Sequence, residues 1–463
     1  MRLLALFSAL ATSLVIWAGL SREDSSGLAA VVVQRAKLLA SAAGGPSTAR
    51  RSEATPAQGT SGEAASAAAA APAGETQPGP VPSASPSGPA EAPAPESAAG
   101  EPSPAGSSPT PTKPTSPPPP VQSKIKHVIV ITLASPGYEQ TWGAPSPARY
   151  LTTQLRPQGT LLSNYYAIGH LDLPNYIAMV SGQPPNAQTS ADCPTFAAYP
   201  TNAKADAAGR LEGPGCVYPS STLTLGDQLT STRRQWRAYV EDLANGPKPV
   251  QSCRHPSTDQ PDETQHARPG DGYAARHNPF VYFHSLLDLG DCASDDLSLG
   301  QLPTDLASSA KTPNYAFIVP NLCHDGSEAP CLDGSPDGLQ AADAFLAEWV
   351  PKILASPAYR ADGLLVITFA DAPATDTSGC CGAGSPTPPA PGTQPVATGG
   401  GRVGALLLSR YVAAGAESAS PYNHYSLLRT VEDLFGLSHL ANAGEAGVQS
   451  FSGEVLKGVF AGR

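Results

Sequence analysis

The sequence has no basic run, no CxxC pair and no internal repeat. Lys and Arg total 28 against 39 Asp and Glu, a formal net charge of −11. That balance excludes nucleic acid and anionic lipid surfaces as electrostatic partners, and the charge serves solubility. All eight cysteines lie between Cys193 and Cys381, without the CxxC pairs or ligand-spaced histidines of a zinc–thiolate site. No clean small-x-small cleavage site follows Trp17. From about Ser41 to Gln122 the chain is Ala, Pro, Ser, Gly and Glu, with few residues that could fill a core. Such a segment is expected to stay unfolded.

What is present divides the chain into three. Residues 1–22 hold Arg2, an apolar run from Leu3 to Leu20 and then Glu23 and Asp24 just beyond. This is an export signal, cleaved or retained as a membrane anchor, and it sends the rest of the chain outside. Residues 23–123 form a Pro/Ala/Ser-rich linker, with a short helix expected over about Gly27–Leu39 and polyproline II in runs such as Ser116–Pro120. A tether to the cell wall or membrane is one use, and a passive linker with no specific role is the other reading. Residues 124–463 form the folded domain. An even cysteine count in an exported chain points to disulfides, but eight cysteines allow about a hundred pairings. Proximity favours Cys193–Cys216, Cys253–Cys292 and Cys323–Cys331, leaving the adjacent Cys380 and Cys381 awkward.

Four short runs read as buried strands: KHVIVITL, NYAFIVP over Asn314–Pro320, GLLVITF over Gly363–Phe369 and GRVGALLLS over Gly401–Ser409. Helical spacing predicts helices over Thr224–Ala244, Gly338–Ala355 and Tyr425–Phe435. Strands alternating with helices define an α/β fold, a mostly parallel central sheet covered by helices on both faces. Functional groups in such sheets gather at the carboxyl ends of the strands. Most of the segments with candidate chemistry fall there: SPGYEQTWG, Asp172-Leu-Pro-Asn-Tyr176, NLCHDGSE, ADAPATDTSGCCG and PYNHY.

Five motifs in order carry a resemblance: NYYAIGHLDLPNYIAMVSGQ, HNPFVYF, FIVPNLCHDG, GRVGALLLS and YNHYSLLRTVEDLFGL. The chain from about Lys124 to Ala443 resembles the bacterial secreted phosphoesterase family, of acid phosphatase and phospholipase C type. That family belongs to the alkaline-phosphatase-like superfamily. The resemblance implies hydrolysis of phosphate esters or phospholipids, a Ser or Thr nucleophile and a divalent cation such as Ca²⁺ held by carboxylates. The hydroxyl would attack in line and form a covalent phospho-enzyme.

This sequence departs from the implied site at most positions. Ala134 and Ser135 stand at the Glu-Asn pair after the first strand. Asp172 stands at the nucleophile position, beside an intact Leu173-Pro174-Asn175-Tyr176. Asp325 is kept, while Ser327 and Glu328 replace His and Asp. Ala370 and Asp371 replace the Asp-Glu pair, and His424 remains in its motif. The catalytic candidates are thus Asp172, Asn175 and His424; the metal candidates are Asp325, Glu328 and Asp371. Glu139 and Asp371 could stand in for lost ligands only by a shift of register. Asn175 is expected to cap the following helix, and His424 to be a hydrogen-bonded structural histidine. His324 is given no role.

Three readings follow. The first is an exported pseudoenzyme whose metal is lost. The second is an active metal-dependent hydrolase that uses Asp172 in a remodelled site. The third is a wall-tethered structural protein.

Overall fold

Seven consecutive buried residues, His127–Leu133, form strand β1, and seven more, Gly363–Phe369, form β7 beside it. Side chains of a strand alternate between faces, so burial of every residue means that both faces of the sheet are covered. The structure, a computed structural model, describes residues 123–248, 250–327, 330–381 and 399–460. The expected export segment, its adjoining helix, nearly all of the linker and Glu328 lie outside the described residues. Among the described residues no helix is long and apolar enough to cross a membrane.

The remaining strands are β2 (Thr160–Leu162), β3 (Tyr165–Tyr166), β4 (Trp236–Val240), β5 (Asp296–Ser298), β6 (Tyr315–Val319), β8 (Ala405–Ser409), β9 (Glu417–Ser418) and β10 (Tyr422–Asn423). The main sheet has eight strands in the order β5-β4-β6-β1-β7-β8-β2-β9, and β3 pairs with β10 separately. From β5 to β7 all neighbours are parallel, while β8 runs antiparallel to β7 and β2. The expected mostly parallel α/β sheet is therefore the observed one. The four longest described α-helices are α1 (Leu173–Ser181), α2 (Leu225–Ser231), α3 (Gly338–Ala355) and α4 (His424–Phe435).

Helix α1 is buried at every residue. Tyr176 from this helix donates through its hydroxyl to Thr132 O on β1 at 3.3 Å, which docks the helix on the sheet. Gly182 ends the helix in the left-handed region at φ 69°, and a Cβ there would meet Leu440 O at 2.3 Å. Only glycine fits both constraints.

Two expected elements are corrected. The helix over Thr224–Ala244 is short: α2 stops at Ser231, Arg233 takes φ 59°, and Trp236–Val240 becomes β4. Pairing of that β-prone stretch with β5 and β6 overrides its helical spacing. The strand over Gly401–Ser409 begins only at Ala405, because Gly401 and Gly404 have φ of 85° and 75°, which no strand accepts. The three disulfides favoured by proximity are formed, and Cys380 pairs with its neighbour Cys381.

Candidate active site

The carboxyl ends of β1, β6 and β7 meet at the N-terminus of α1. The chain enters α1 through Gly169-His170-Leu171, and Leu171 has φ 66°, an unfavourable value for a leucine. Two side chains hold this turn. The Asn175 amide oxygen accepts from Ile168 N and Gly169 N at 2.8 and 3.1 Å, and its Nδ2 donates to Gly169 O and Leu171 O, both at 2.7 Å. Asp371 Oδ2 accepts from Leu171 N at 3.0 Å. Asn175 is therefore no cap of α1; it sits three residues into the segment and braces the turn. The cap comes from Asp192, whose Oδ1 accepts from Leu173 N at 2.8 Å.

This turn presents Asp172 to two cationic-type donors. Oδ2 of Asp172 accepts from Arg276 Nε at 3.0 Å and from His277 Nε2 at 2.9 Å. A carboxylate only accepts, so His277 Nε2 carries a hydrogen. Burial alone would push Asp172 up. His277 and then Arg276 outweigh it and hold the carboxyl well below the usual carboxylate range. Arg276 is itself fixed from outside the pair, by Gln265 O at 2.9 Å and by Asp192 Oδ2 at 3.5 Å. The His277 ring stacks on Tyr176, with centroids 5.4 Å apart.

The other carboxylates are less well compensated, Asp192 having Arg276 only at 3.5 Å. Asp325 Oδ1 accepts from Ser327 N at 2.7 Å, while Oδ2 lies 4.0 Å from His277 Nε2. Burial pushes Asp325 up to about 6, against the pull of His277 and with a further push from Asp172. Asp192 also rises to about 6, through burial and then the Asp172 charge. Burial and then Asp172 raise Asp371 well above its ordinary value, opposed by Leu171 N–H and by the Ser135 hydroxyl.

Ala134 and Ala370 enter the site through their backbone. Ala134 N donates to Asp325 O at 2.6 Å, and Ala370 N donates to Leu133 O at 2.8 Å. His424 is a structural histidine: its Nε2 donates to Ala370 O at 2.7 Å and its Nδ1 meets the Tyr165 hydroxyl at 3.0 Å. Burial lowers it to about 4, with both nitrogens engaged away from Asp172. Glu139 is exposed and pairs with Arg402, so it replaces no lost ligand. His324 pairs with Glu241 at 3.0 Å.

A hard divalent cation takes six or more oxygen ligands. The donor chemistry is here: Asp172 Oδ1, Asp325 Oδ2 and Asp371 Oδ1 are buried oxygens with no hydrogen-bond partner. The spacing is not. Among the described residues the only groups of three ligand atoms within 4.8 Å of one another contain Cys253 with Cys292 or Cys323 with Cys331, whose sulfurs are joined in disulfides. As they stand, the described site residues do not fit a cation cage.

Reading the residues alone missed Arg276, His277, Asp192 and His170. The one available signal was HNPFVYF, which opens on His277. His170 Nδ1 donates to Ala372 O at 3.2 Å, and its Nε2 is buried without a partner.

Buried carboxylates and an arginine–histidine pair thus gather beside the α/β sheet at the start of α1. The chain belongs to the phosphoesterase family, whose model matches residues 146–438, more than half of the sequence. It is 22% identical over 327 residues to a probable acid phosphatase from Kluyveromyces lactis, covering 70% of this chain and 61% of that protein. It is 24% identical over 215 residues to an acid phosphatase from Aspergillus fumigatus, covering 46% and 39%. The chain thus spans less than two thirds of the length of these relatives. They are fungal, so they lend nothing to the bacterial qualifier of the resemblance. Among solved structures, a protein in the alkaline phosphatase superfamily from Vibrio parahaemolyticus matches with TM-score 0.40 and 14% identity over 70% of this chain and 71% of its own. The lipoteichoic acid synthase LtaP from Listeria monocytogenes matches with TM-score 0.39 and 10% identity over 70% and 78%.

Proposed function

We propose that this chain is an exported phosphoesterase-family protein that keeps the ligand position of a phosphate-ester hydrolase and is impaired in hydrolysis. The observation that carries this reading is the ion pair of Asp172 with Arg276 and its hydrogen bond from His277. Position 172 has no hydroxyl, and the carboxylate oxygen there is tied up by two N–H donors, which lowers its nucleophilicity. Asp325 and Asp371 beside it repel an anionic substrate wherever they are charged. Export is supported by the apolar N-terminal run and by cysteines that pair completely among the described residues. The linker then acts as a tether to the wall or membrane.

Purified chain supplied with Ca²⁺, Mg²⁺, Mn²⁺ and Zn²⁺ is expected to turn over p-nitrophenyl phosphate and phosphatidylcholine at background rate. Clear turnover that disappears in Asp172→Ala would overturn the reading.

The unpartnered oxygens of Asp172, Asp325 and Asp371 favour a second reading, an active hydrolase that assembles a divalent cation site as the metal binds. It predicts at least one bound cation per chain. Metal analysis after incubation with the same four ions, finding none, removes it.

A further inference from the structure

We propose that Asp172 is a built-in plug: its carboxylate fills an oxyanion seat formed by Arg276 and His277, and the seat binds a phosphate group once the plug is removed. The inference rests on the reading that the ligand position survives while hydrolysis is impaired.

The seat has anchors besides its occupant. Arg276 is held by Gln265 O and Asp192, and His277 by stacking on Tyr176 and by its backbone N–H to Ala274 O at 3.1 Å. The His277 ring bonds through Nε2 to Asp172, while its Nδ1 is buried without a partner. Arg276 and His277 both point N–H groups at one oxygen, Asp172 Oδ2. A guanidinium and an imidazole N–H converging on one oxygen is recognition suited to an oxyanion, and such charge-assisted bonds are about twice as strong as neutral ones. Both donors are spent on this one oxygen, and the second, Oδ1, is buried without a partner. The seat also lies nearest to solvent: Asp172 is 8% exposed against 1% for Asp325 and 4% for Asp371, and the neighbouring Leu171 is 48% exposed.

The test is equilibrium binding, separate from turnover. Inorganic phosphate and phenylphosphonate are titrated by calorimetry against the full chain and against Asp172→Ala, Asp172→Asn and Asp172→Ala/Arg276→Gln. Wild type is expected to bind either ligand weakly or not at all. Asp172→Ala is expected to gain about tenfold or more in affinity, since two charge-assisted donors are released. Arg276→Gln in that background is expected to abolish the gain. A gain for phosphate alone assigns the seat to the free ion; a gain for phenylphosphonate as well assigns it to monoesters. Removing Asp172 leaves Arg276 buried beside Asp192 alone and can destabilise the fold. In that case phosphate is expected to raise the Tm of Asp172→Ala towards wild type in a concentration-dependent way. The isosteric Asp172→Asn keeps the packing and is expected to show a smaller gain. Folded Asp172→Ala and Asp172→Asn that bind both ligands no better than wild type overturn the plug. So does an unfolded Asp172→Ala that phosphate fails to rescue, together with a folded Asp172→Asn that shows no gain. Turnover in wild type would instead overturn the impaired-hydrolysis reading and leave this result separately readable.

Discussion

Asp172 and Asp325 are buried within reach of the same histidine, yet they are driven in opposite directions. Asp172 is held ionised by Arg276 and His277. Asp325 has His277 only at 4.0 Å and is pushed up to about 6. Burial is not what separates them; the direct bond from His277 and, after it, the Arg276 guanidinium are. The Asp172 side of the site is internally neutralised, and the side holding Asp325 and Asp371 is left with carboxylates whose neutral forms are favoured. On the Asp172 side the positive charge is already engaged by a side chain of the protein itself.

The comparison breaks most sharply at Arg276. Replacing it with Met keeps the apolar stem and leaves Asp172 and Asp192 buried without their main counter-charge. Breaking a buried pair from one side costs about 3–5 kcal/mol. Urea unfolding is expected to show a loss of that size for Arg276→Met. Adding Asp172→Asn is expected to recover a large part of it, as a double-mutant cycle reports. Equal losses in the single and double variants would mean that Arg276 serves packing rather than charge.

Asp325 sharpens the other side. Its carboxyl in the fold sits at about 6, above the roughly 3.9 of an unfolded aspartate. The folded state therefore binds the proton more tightly, and this group makes the protein less stable as pH rises from about 4 through 6. Asp192 has the same sign and a similar value. Asp172 has the opposite sign: its contribution is present above about 4 and is lost as pH falls further. Asp325→Asn keeps an acceptor for Ser327 N and puts an amide where an unpartnered oxygen lies. Above pH 6 or so it is expected to raise stability by about 1–2 kcal/mol, and near pH 4 by almost nothing. A pH series of thermal melts checks this; a gain independent of pH would contradict the carboxylate's protonation as the cause.

These contacts also mark where the sequence stops being readable. β1, β7 and α3 are legible because their patterns are local: unbroken β-branched runs and an eighteen-residue amphipathic period. β4 is not, because its partners β5 and β6 lie far along the chain and decide between two locally plausible conformations. The site divides in the same way. Asp172, Asp325 and Asp371 can be placed by the motifs around them. The pairing of Asp172 with Arg276 and His277 spans 104 and 105 residues, and no local spacing reveals it. Asn175 illustrates a milder failure. Its residue type suits a cap, but the helix starts earlier and the capping oxygen arrives from Asp192, 19 residues downstream of Leu173.

The smallest expected effect lies at Leu171, the hinge between the two sides. A left-handed conformation costs a non-glycine residue about 1–2 kcal/mol, and Leu171 pays this with φ 66° while its side chain is half exposed. Glycine removes the strain but adds freedom to the unfolded chain, worth about 0.4–1 kcal/mol. Leu171→Gly is therefore expected to be slightly more stable, by about 0.5 kcal/mol, in chemical unfolding. The informative quantity is what accompanies it. If the turn is held by Asn175 and Asp371, as their bonds to Leu171 and its neighbours indicate, the pairing of Asp172 with Arg276 is unchanged. The Arg276→Met loss should then be the same in the Leu171→Gly background. A reduced loss there would show that the strained turn itself presses Asp172 into its seat, making the two sides of the site one mechanical unit.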